Sequence, residues 1–278
     1  MDLLSFDAVA ETVVRAVLDG ALDPVAVGVS GAWGSGKATV LRLVEGRLAP
    51  QAPDGDTKVL VISTDPWRYA PGVGVKEILI GEVLSAVAVE LARTGKPGQV
   101  RSRARAVLTT LRKRVDWAKA LQVAAKTSLT LQLPSVDDLT SVINTDAAGQ
   151  EAGFAEPLAR GLEEFCSEFR MLMESPELSH PGRVVVLVDD LDRCLPETVV
   201  DTLETIRLFL AVPRMAFVVA ADEGRVADVL RVRFPAQGGG QGGAGADAEE
   251  PASLYLHKIV QTTVPLPTPS VATPSSSP

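Results

Sequence analysis

Apolar positions along the chain follow two spacings, one helical and one of short unbroken runs, and together they predict alternating helices and buried strands. Phe6, Val9, Val13 and Val17 recur at helical spacing behind Ser5, a candidate N-cap, and Gly20 supplies a stop. The β-branched run DPVAVGVSG, ending at Gly31, reads as a buried strand, and ATVLRLVEGRL from Ala38 reads as a helix. TKVLVIST (57–64) is a second buried strand, closed by the turn-forming Asp65-Pro66. From about Pro71 to Gly182 the pattern is mostly helical, and Leu158, Leu162, Phe165, Phe169 and Leu172 form one core-facing stripe. RVVVLVDDLDRC (183–194) is a third strand that delivers acids at its C-terminal end. Val199, Leu203, Ile206 and Leu210 mark the next helix, and MAFVVAAD (215–222) is a fourth strand. His257 to Pro267 predicts a short fifth strand. Gln237 to Ser253 is too rich in glycine to bury anything and predicts a disordered loop, and 268–278 predicts a disordered Pro/Ser/Thr tail.

Strands separated by helical segments of crossover length imply a mainly parallel five-stranded sheet covered by helices on both faces. The expected organisation is one α/β domain over 1–267, with a helical insertion at about 72–180 and the glycine-rich loop at 237–253. A chain of 278 residues is long enough to bury such a core. The net charge of -8 argues against a surface built for nucleic acid as a whole. Cys166 and Cys194 form no framework, and His180 and His257 form no zinc cluster, so a reducing cytoplasmic setting is expected. The first residues lack the basic start and apolar core of a signal peptide, and Ile78 to Ala92, the most apolar stretch, is broken by Glu82 and Glu90.

The chemistry gathers where strands end. In GAWGSGKATV (31–40), Gly31, Gly36 and Lys37 stand where a G-x-x-x-x-G-K-[ST] loop places them, between a strand and a helix. Successive amides of Gly31, Ala32, Trp33, Gly34, Ser35, Gly36, Lys37, Ala38 and Thr39 would form an anion cradle at a helix N-terminus, with Lys37 neutralising β and γ oxygens. Asp189 and Asp190 follow a buried strand and should face the same crevice, since ligands of parallel sheets gather beyond the carboxyl ends of strands. One carboxylate can support Mg²⁺ and its neighbour can orient and deprotonate a water.

DDLDRC behind VVVLV, the tryptophan inside GAWGSGK, STDPWRY (63–69), LETIRLFL (203–210), FVVAAD (217–222) and LHKIVQ (256–261) together resemble the KAP family of P-loop NTPases. That resemblance implies an ASCE-type P-loop fold, ATP as nucleotide with Mg²⁺, and membrane-linked signalling or defence assemblies with protein partners. It assigns Lys37 to the β and γ phosphates, Asp189 to Mg²⁺ and Asp190 to water polarisation, with Asp222 as a weaker candidate sensor of the γ-phosphate. Asp65 stands where the family usually has Asn. Ala38 lacks the hydroxyl expected to bind Mg²⁺; Thr39 does not replace it, because one helical residue turns the side chain by ~100°. The chain also lacks the spanning helices many relatives insert, and it ends shortly after KIVQTTVPLP, so a trans-acting arginine or lid would come from a partner or be missing.

One segment departs from the acidic background. RSRARAVLTTLRKRVDWAKALQVAAK (101–126) has eight Lys/Arg and one acid, with Leu108, Leu111, Val115, Ala118 and Leu121 at helical spacing. Two readings stand: a helix covering the core, or a basic amphipathic helix lying on the anionic inner face of a membrane; nucleic-acid binding ranks below both. Taken together, the expectation is a nucleotide-dependent switch with slow ATP hydrolysis. The alternatives are a non-hydrolysing scaffold and, third, a P-loop kinase. Self-association stays open.

Overall fold

The computed structural model describes residues 5–49, 59–69, 74–93, 106–111, 155–175, 178, 182–233 and 251–267. Five strands, β1 (Val25–Ser30), β2 (Val59–Thr64), β3 (Arg183–Val188), β4 (Met215–Ala221) and β5 (Thr262–Pro265), form one sheet in the order β2-β3-β4-β1-β5. All four pairings are parallel. The helices are α1 (Phe6–Leu18), α2 (Lys37–Leu48), α3 (Val75–Arg93), α4 (Ala155–Met173), α5 (Pro196–Phe209), α6 (Glu223–Arg233) and α7 (Pro251–Ile259), with a short helical stretch over 106–111.

The central strands β1, β3 and β4 are apolar along almost their whole length because both faces are covered, whereas β2 ends in Ser63 and Thr64 and β5 is partly open. In β3, Val184, Val186 and Val188 enter one core while Val185 and Leu187 enter the other. The same alternation splits β4, with Phe217 and Val219 on one side and Val218 and Ala220 on the other. Helices α1 and α2 cover the second face through Val13, Val17, Val40 and Val44. Helices α3 to α7 cover the first, where the Phe209 ring sits edge-on to Phe169 at 5.3 Å and tilted against Phe217 at 6.2 Å. Phe165, Phe169 and Leu172 of the expected stripe are buried there; the side chains of Leu158 and Leu162 lie outside the described residues. Leu108 and Leu111 also enter this core, so these two leucines are not available to a membrane, and the rest of 101–126 lies outside the described residues. Among the described residues no helix is long and apolar enough to cross a membrane.

Three sequence expectations are corrected. The fifth strand does not begin at His257: residues 251–259 are helical, and the strand is only Thr262–Pro265. Ala252, Leu256, Ile259 and Val260 recur at helical spacing and are all buried, an apolar stripe that outweighs the β-branched content of KIVQ. The same helix takes the last three residues of the loop expected over 237–253; residues 234–250 and 268–278 lie outside the described residues. Gln261 then joins α7 to the sheet, its amide donating to the Ala26 carbonyl at 3.1 Å and its side-chain oxygen accepting from the Ala26 amide. At the other end of the chain, Ser5 precedes α1 in a left-handed conformation (φ 54°) and its hydroxyl makes no cap bond; its carbonyl accepts from Ala8 and Val9 instead.

The N-terminal edge of the sheet is locked by one carboxylate. Asp23 accepts from Arg183 Nη2 at 3.0 Å and from the Arg214 amide at 2.9 Å. Arg214, itself left-handed at φ 68°, spreads its guanidinium over the carbonyls of Met173, Leu178 and Gly182. Burial pulls both guanidiniums below the ordinary arginine range while Asp23 opposes it. Asp23→Ala takes the counter-ion from the partly buried Arg183 guanidinium and the acceptor from the Arg214 amide, so it should destabilise the fold by about 2–4 kcal/mol. The check is urea unfolding: the midpoint should fall with an unchanged slope.

Candidate functional site

The turn between β1 and α2 combines two left-handed glycines with an inward-facing lysine. Gly34 (φ 79°) and Gly36 (φ 96°) adopt left-handed backbone that a Cβ would strain, and a Cβ on Gly36 would lie 2.5 Å from the Phe6 ring. The loop is fastened at both ends: the Gly31 amide donates to the Ala221 carbonyl, and the Val40 amide to that of Gly36. Lys37 closes it from inside, donating from Nζ to Gly31 O at 2.8 Å and to Ala32 O at 3.3 Å, with 8% of its surface exposed. Trp33 stands out from the loop at 69% exposure, and Ala38 and Thr39 are also exposed.

The acids arrive on the neighbouring strands. Parallel register pairs Thr64 with Val188, so Asp65 and Asp189 follow side by side, and the Asp189 amide donates to Thr64 O at 3.1 Å. Asp190 turns left-handed (φ 52°), which folds Leu191–Arg193 into a 3₁₀ turn and buries Leu191 and Asp192. That turn carries the residue sequence reasoning missed: the Asp192 carboxylate, 1% exposed, lies 3.8 Å from Lys37 Nζ. The available signal was the third acid of DDLDRC lying one residue beyond an apolar leucine, which requires the turn to fold back into the protein. Asp190 pairs with Arg193 at 3.1 Å, and Asp65 pairs with Arg68 at 3.0 Å. Asp189 is left with a single hydrogen bond, from the Asp190 amide at 2.9 Å, and no ion pair among the described residues. Asp222, beyond β4, has its Oδ1 accepting from the Arg225 amide at 3.3 Å, which caps α6.

Over residues 6–273 the chain matches the KAP family P-loop domain. It belongs to that family. The fold is accordingly an ASCE-type P-loop NTPase fold, with the phosphate loop after β1 and the acidic motif after β3. The phage T7 exclusion protein of Escherichia coli strain K12 is 27% identical over 272 residues, covering 96% of this chain and 34% of that protein. The chain thus spans about a third of that relative's length. Among solved structures, the Aeropyrum pernix ORC2 protein is similar in its ADPNP–ADP complexes at 17% identity and a TM-score of 0.39, covering 95% of this chain and 47% of that one. Its ADP form gives 15% identity and a TM-score of 0.37, with coverages of 94% and 47%.

The KAP domain's crevice fits an anionic nucleotide with a cation. Ser35 Oγ, Asp65 Oδ1 and Asp192 Oδ1 are buried there without a hydrogen-bond partner, each a cost of about 1–3 kcal/mol unless a ligand or water satisfies it. Among the described residues no group of three or more His, Cys, Asp or Glu side chains is arranged to hold a metal, so Mg²⁺ would need oxygens from the nucleotide. Cys194 is no nucleophile: burial, with Asp65, Asp190 and Asp192 around it, pushes its thiol up to about 12.

Asp189 carries the electrostatic tension of the site. Burial raises its pKa above the usual carboxylate range, the Asp190 and Asp65 carboxylates raise it further, and the Asp190 amide and Lys37 oppose them. A carboxyl that keeps its proton to higher pH in the folded state than in the unfolded chain favours folding below its unfolded pKa. That contribution is lost as pH rises through the folded value. At neutral pH the ionised Asp189 therefore works against the fold. Asp189→Asn, which can still accept from the Asp190 amide, should raise the nucleotide-free Tm by roughly 1–2 °C at pH 7, a small gain because the group is half open to solvent. Calorimetry at pH 7 and pH 4 checks it: the gain should shrink at the lower pH.

Proposed function

We propose that this domain binds ATP with Mg²⁺ between the 31–39 loop and the DDLDRC turn, uses occupancy of that crevice as a switch, and hydrolyses ATP slowly. The observation that carries this reading is the contact between Lys37 and Asp192, which draws the phosphate loop and the acidic turn around one crevice. Glycine-turn amides and the N-terminus of α2 receive the phosphates, and Lys37 gives up its loop carbonyls to neutralise them. Mg²⁺ when bound supplies charge neutralisation on the phosphate oxygens. Asp189, the carboxylate with no ion pair among the described residues, is the group to support the ion, and Asp190 is the group to orient and deprotonate a water. Asp222, engaged as a helix cap, takes at most a secondary part as sensor.

Two features favour slow chemistry. Ala38 contributes no oxygen to the ion, and the Asp190 carboxylate is held by Arg193. Losing one inner-sphere ligand spares binding more than turnover, because metal stabilisation matters most in the transition state. The same features give the runner-up reading, a scaffold that binds ATP without cleaving it. The relative named for exclusion of phage T7 supports a place in a defence assembly, where protein partners would read the switch.

Nucleotide affinity and steady-state phosphate release separate the readings. Lys37→Ala should weaken ATP binding by about 100-fold. Asp190→Asn should lower turnover by at least about 100-fold with affinity retained, and Ala38→Ser should raise turnover by about tenfold. Binding with no turnover in any variant would favour the scaffold; unchanged binding in Lys37→Ala would mean the site is elsewhere.

A further inference from the structure

Resting on the nucleotide reading, the geometry points to Arg193 as the side chain that tells ATP from ADP: it holds Asp190 when the crevice lacks a γ-phosphate and transfers to that phosphate when ATP binds.

Charge balance makes the first part of the argument. Four carboxylates, Asp65, Asp189, Asp190 and Asp192, converge beyond β2 and β3, and three cations answer them one to one through the pairs Arg68–Asp65, Arg193–Asp190 and Lys37–Asp192. A triphosphate entering this crevice adds anions and competes for those cations. Lys37 is bound by its position in the loop to answer the β and γ oxygens. Lys37 and Mg²⁺ serve both nucleotides, so a further cation aimed at the γ-phosphate would be what distinguishes ATP from ADP, and the loop itself contains none besides Lys37.

Position selects Arg193. It follows Asp192 directly, the residue whose carboxylate lies 3.8 Å from Lys37 Nζ, so the turn that carries Arg193 is already seated against the loop. Arg193 lines an open cleft of about 520 Å³ together with Trp33, which projects from the middle of the phosphate loop, and Trp67. Its guanidinium stands 6.0 Å over the Trp67 ring. A guanidinium at this distance from an aromatic face gains some attraction to it while its N–H groups stay available to hydrogen-bond acceptors. Its partner is an exposed-side contact between half-open groups, 39% exposed for Arg193 and 25% for Asp190, which phosphate can displace at little cost. Arg225 lines the same cleft from α6, where its side chain is exposed, and not from the acidic turn that carries Asp190.

The transfer has a second effect. When Arg193 leaves, the Asp190 carboxylate loses its counter-ion and becomes available as a base. One side chain would thus link recognition of the γ-phosphate to readiness for hydrolysis, and would supply within the chain the arginine otherwise expected from a partner.

The test compares ATP and ADP affinities, each with Mg²⁺, by titration calorimetry, so that it does not depend on turnover. The unsubstituted protein should prefer ATP. Arg193→Ala should weaken ATP by at least about tenfold and leave ADP within about twofold, while Arg193→Lys keeps part of the preference and Arg225→Ala keeps all of it. Tryptophan emission in a Trp33→Phe background, which silences the loop's own tryptophan, gives an independent readout: ATP but not ADP should change it, and the change should vanish on adding Trp67→Phe or Arg193→Ala. Equal loss of both nucleotides, an unchanged ratio, or collapse of the ratio in Arg225→Ala overturns the assignment to Arg193 while leaving the nucleotide site in place. No saturable binding of either nucleotide by the unsubstituted protein overturns the site itself.

Discussion

Parallel strands cannot be joined by tight turns, and this constraint orders the rest of the molecule. Each connection has to cross a face of the sheet, α2 on one side and α3 to α7 on the other, and α1, which precedes β1, packs beside α2. Buried on both faces, β1, β3 and β4 carry almost nothing but Val, Ala, Leu, Met and Phe. Polar chemistry is then confined to the edges. The N-terminal edge spends its charge on structure, with Asp23 fastening Arg183 and Arg214. The C-terminal edge collects the phosphate loop after β1, Asp65 after β2, the acidic turn after β3 and Asp222 after β4.

At that edge the distribution of charge is uneven in a way that suits ligand binding. Three carboxylates have cations, and the fourth, Asp189, is raised by desolvation and by its acidic neighbours. Three buried oxygens lack partners. The site therefore costs stability that a better-packed edge would not, a common feature of functional surfaces. Lys37 is held both by loop carbonyls and by Asp192, so the loop keeps its shape before any phosphate arrives. Preorganised donors of this kind need no rearrangement of the backbone when they meet an anion.

Much of this was legible in the sequence, for physical reasons that differ from element to element. Short, β-branched apolar runs such as VVVLV and MAFVVA, bounded by turn residues, read as strands buried on both sides, and glycine spacing in GAWGSGK specifies a turn that other residues make only under strain. Gly31 to Thr39 and Asp189-Asp190 were found this way and do stand at one edge. What local pattern could not show was pairing. Whether an acid in DDLDRC points to solvent or inward depends on the left-handed turn at Asp190, which no propensity announces, and so Asp192 was missed and Arg193 was not seen as the partner of Asp190. The end of the chain misled for another reason: His257, Ile259 and Val260 look like strand residues, yet packing of Ala252, Leu256 and Ile259 against the core makes 251–259 a helix.

The central claim is that one nucleotide joins the phosphate loop to the acidic turn. Amide hydrogen exchange measures that junction directly, by comparing the protein alone with the protein saturated with ATP and Mg²⁺. Segments 31–39 and 189–194 should gain protection together, while amides in the middle of β1 and β3, already slow, should change little. Protection of the loop without the acidic turn, or saturation with no change in either segment, would contradict the account.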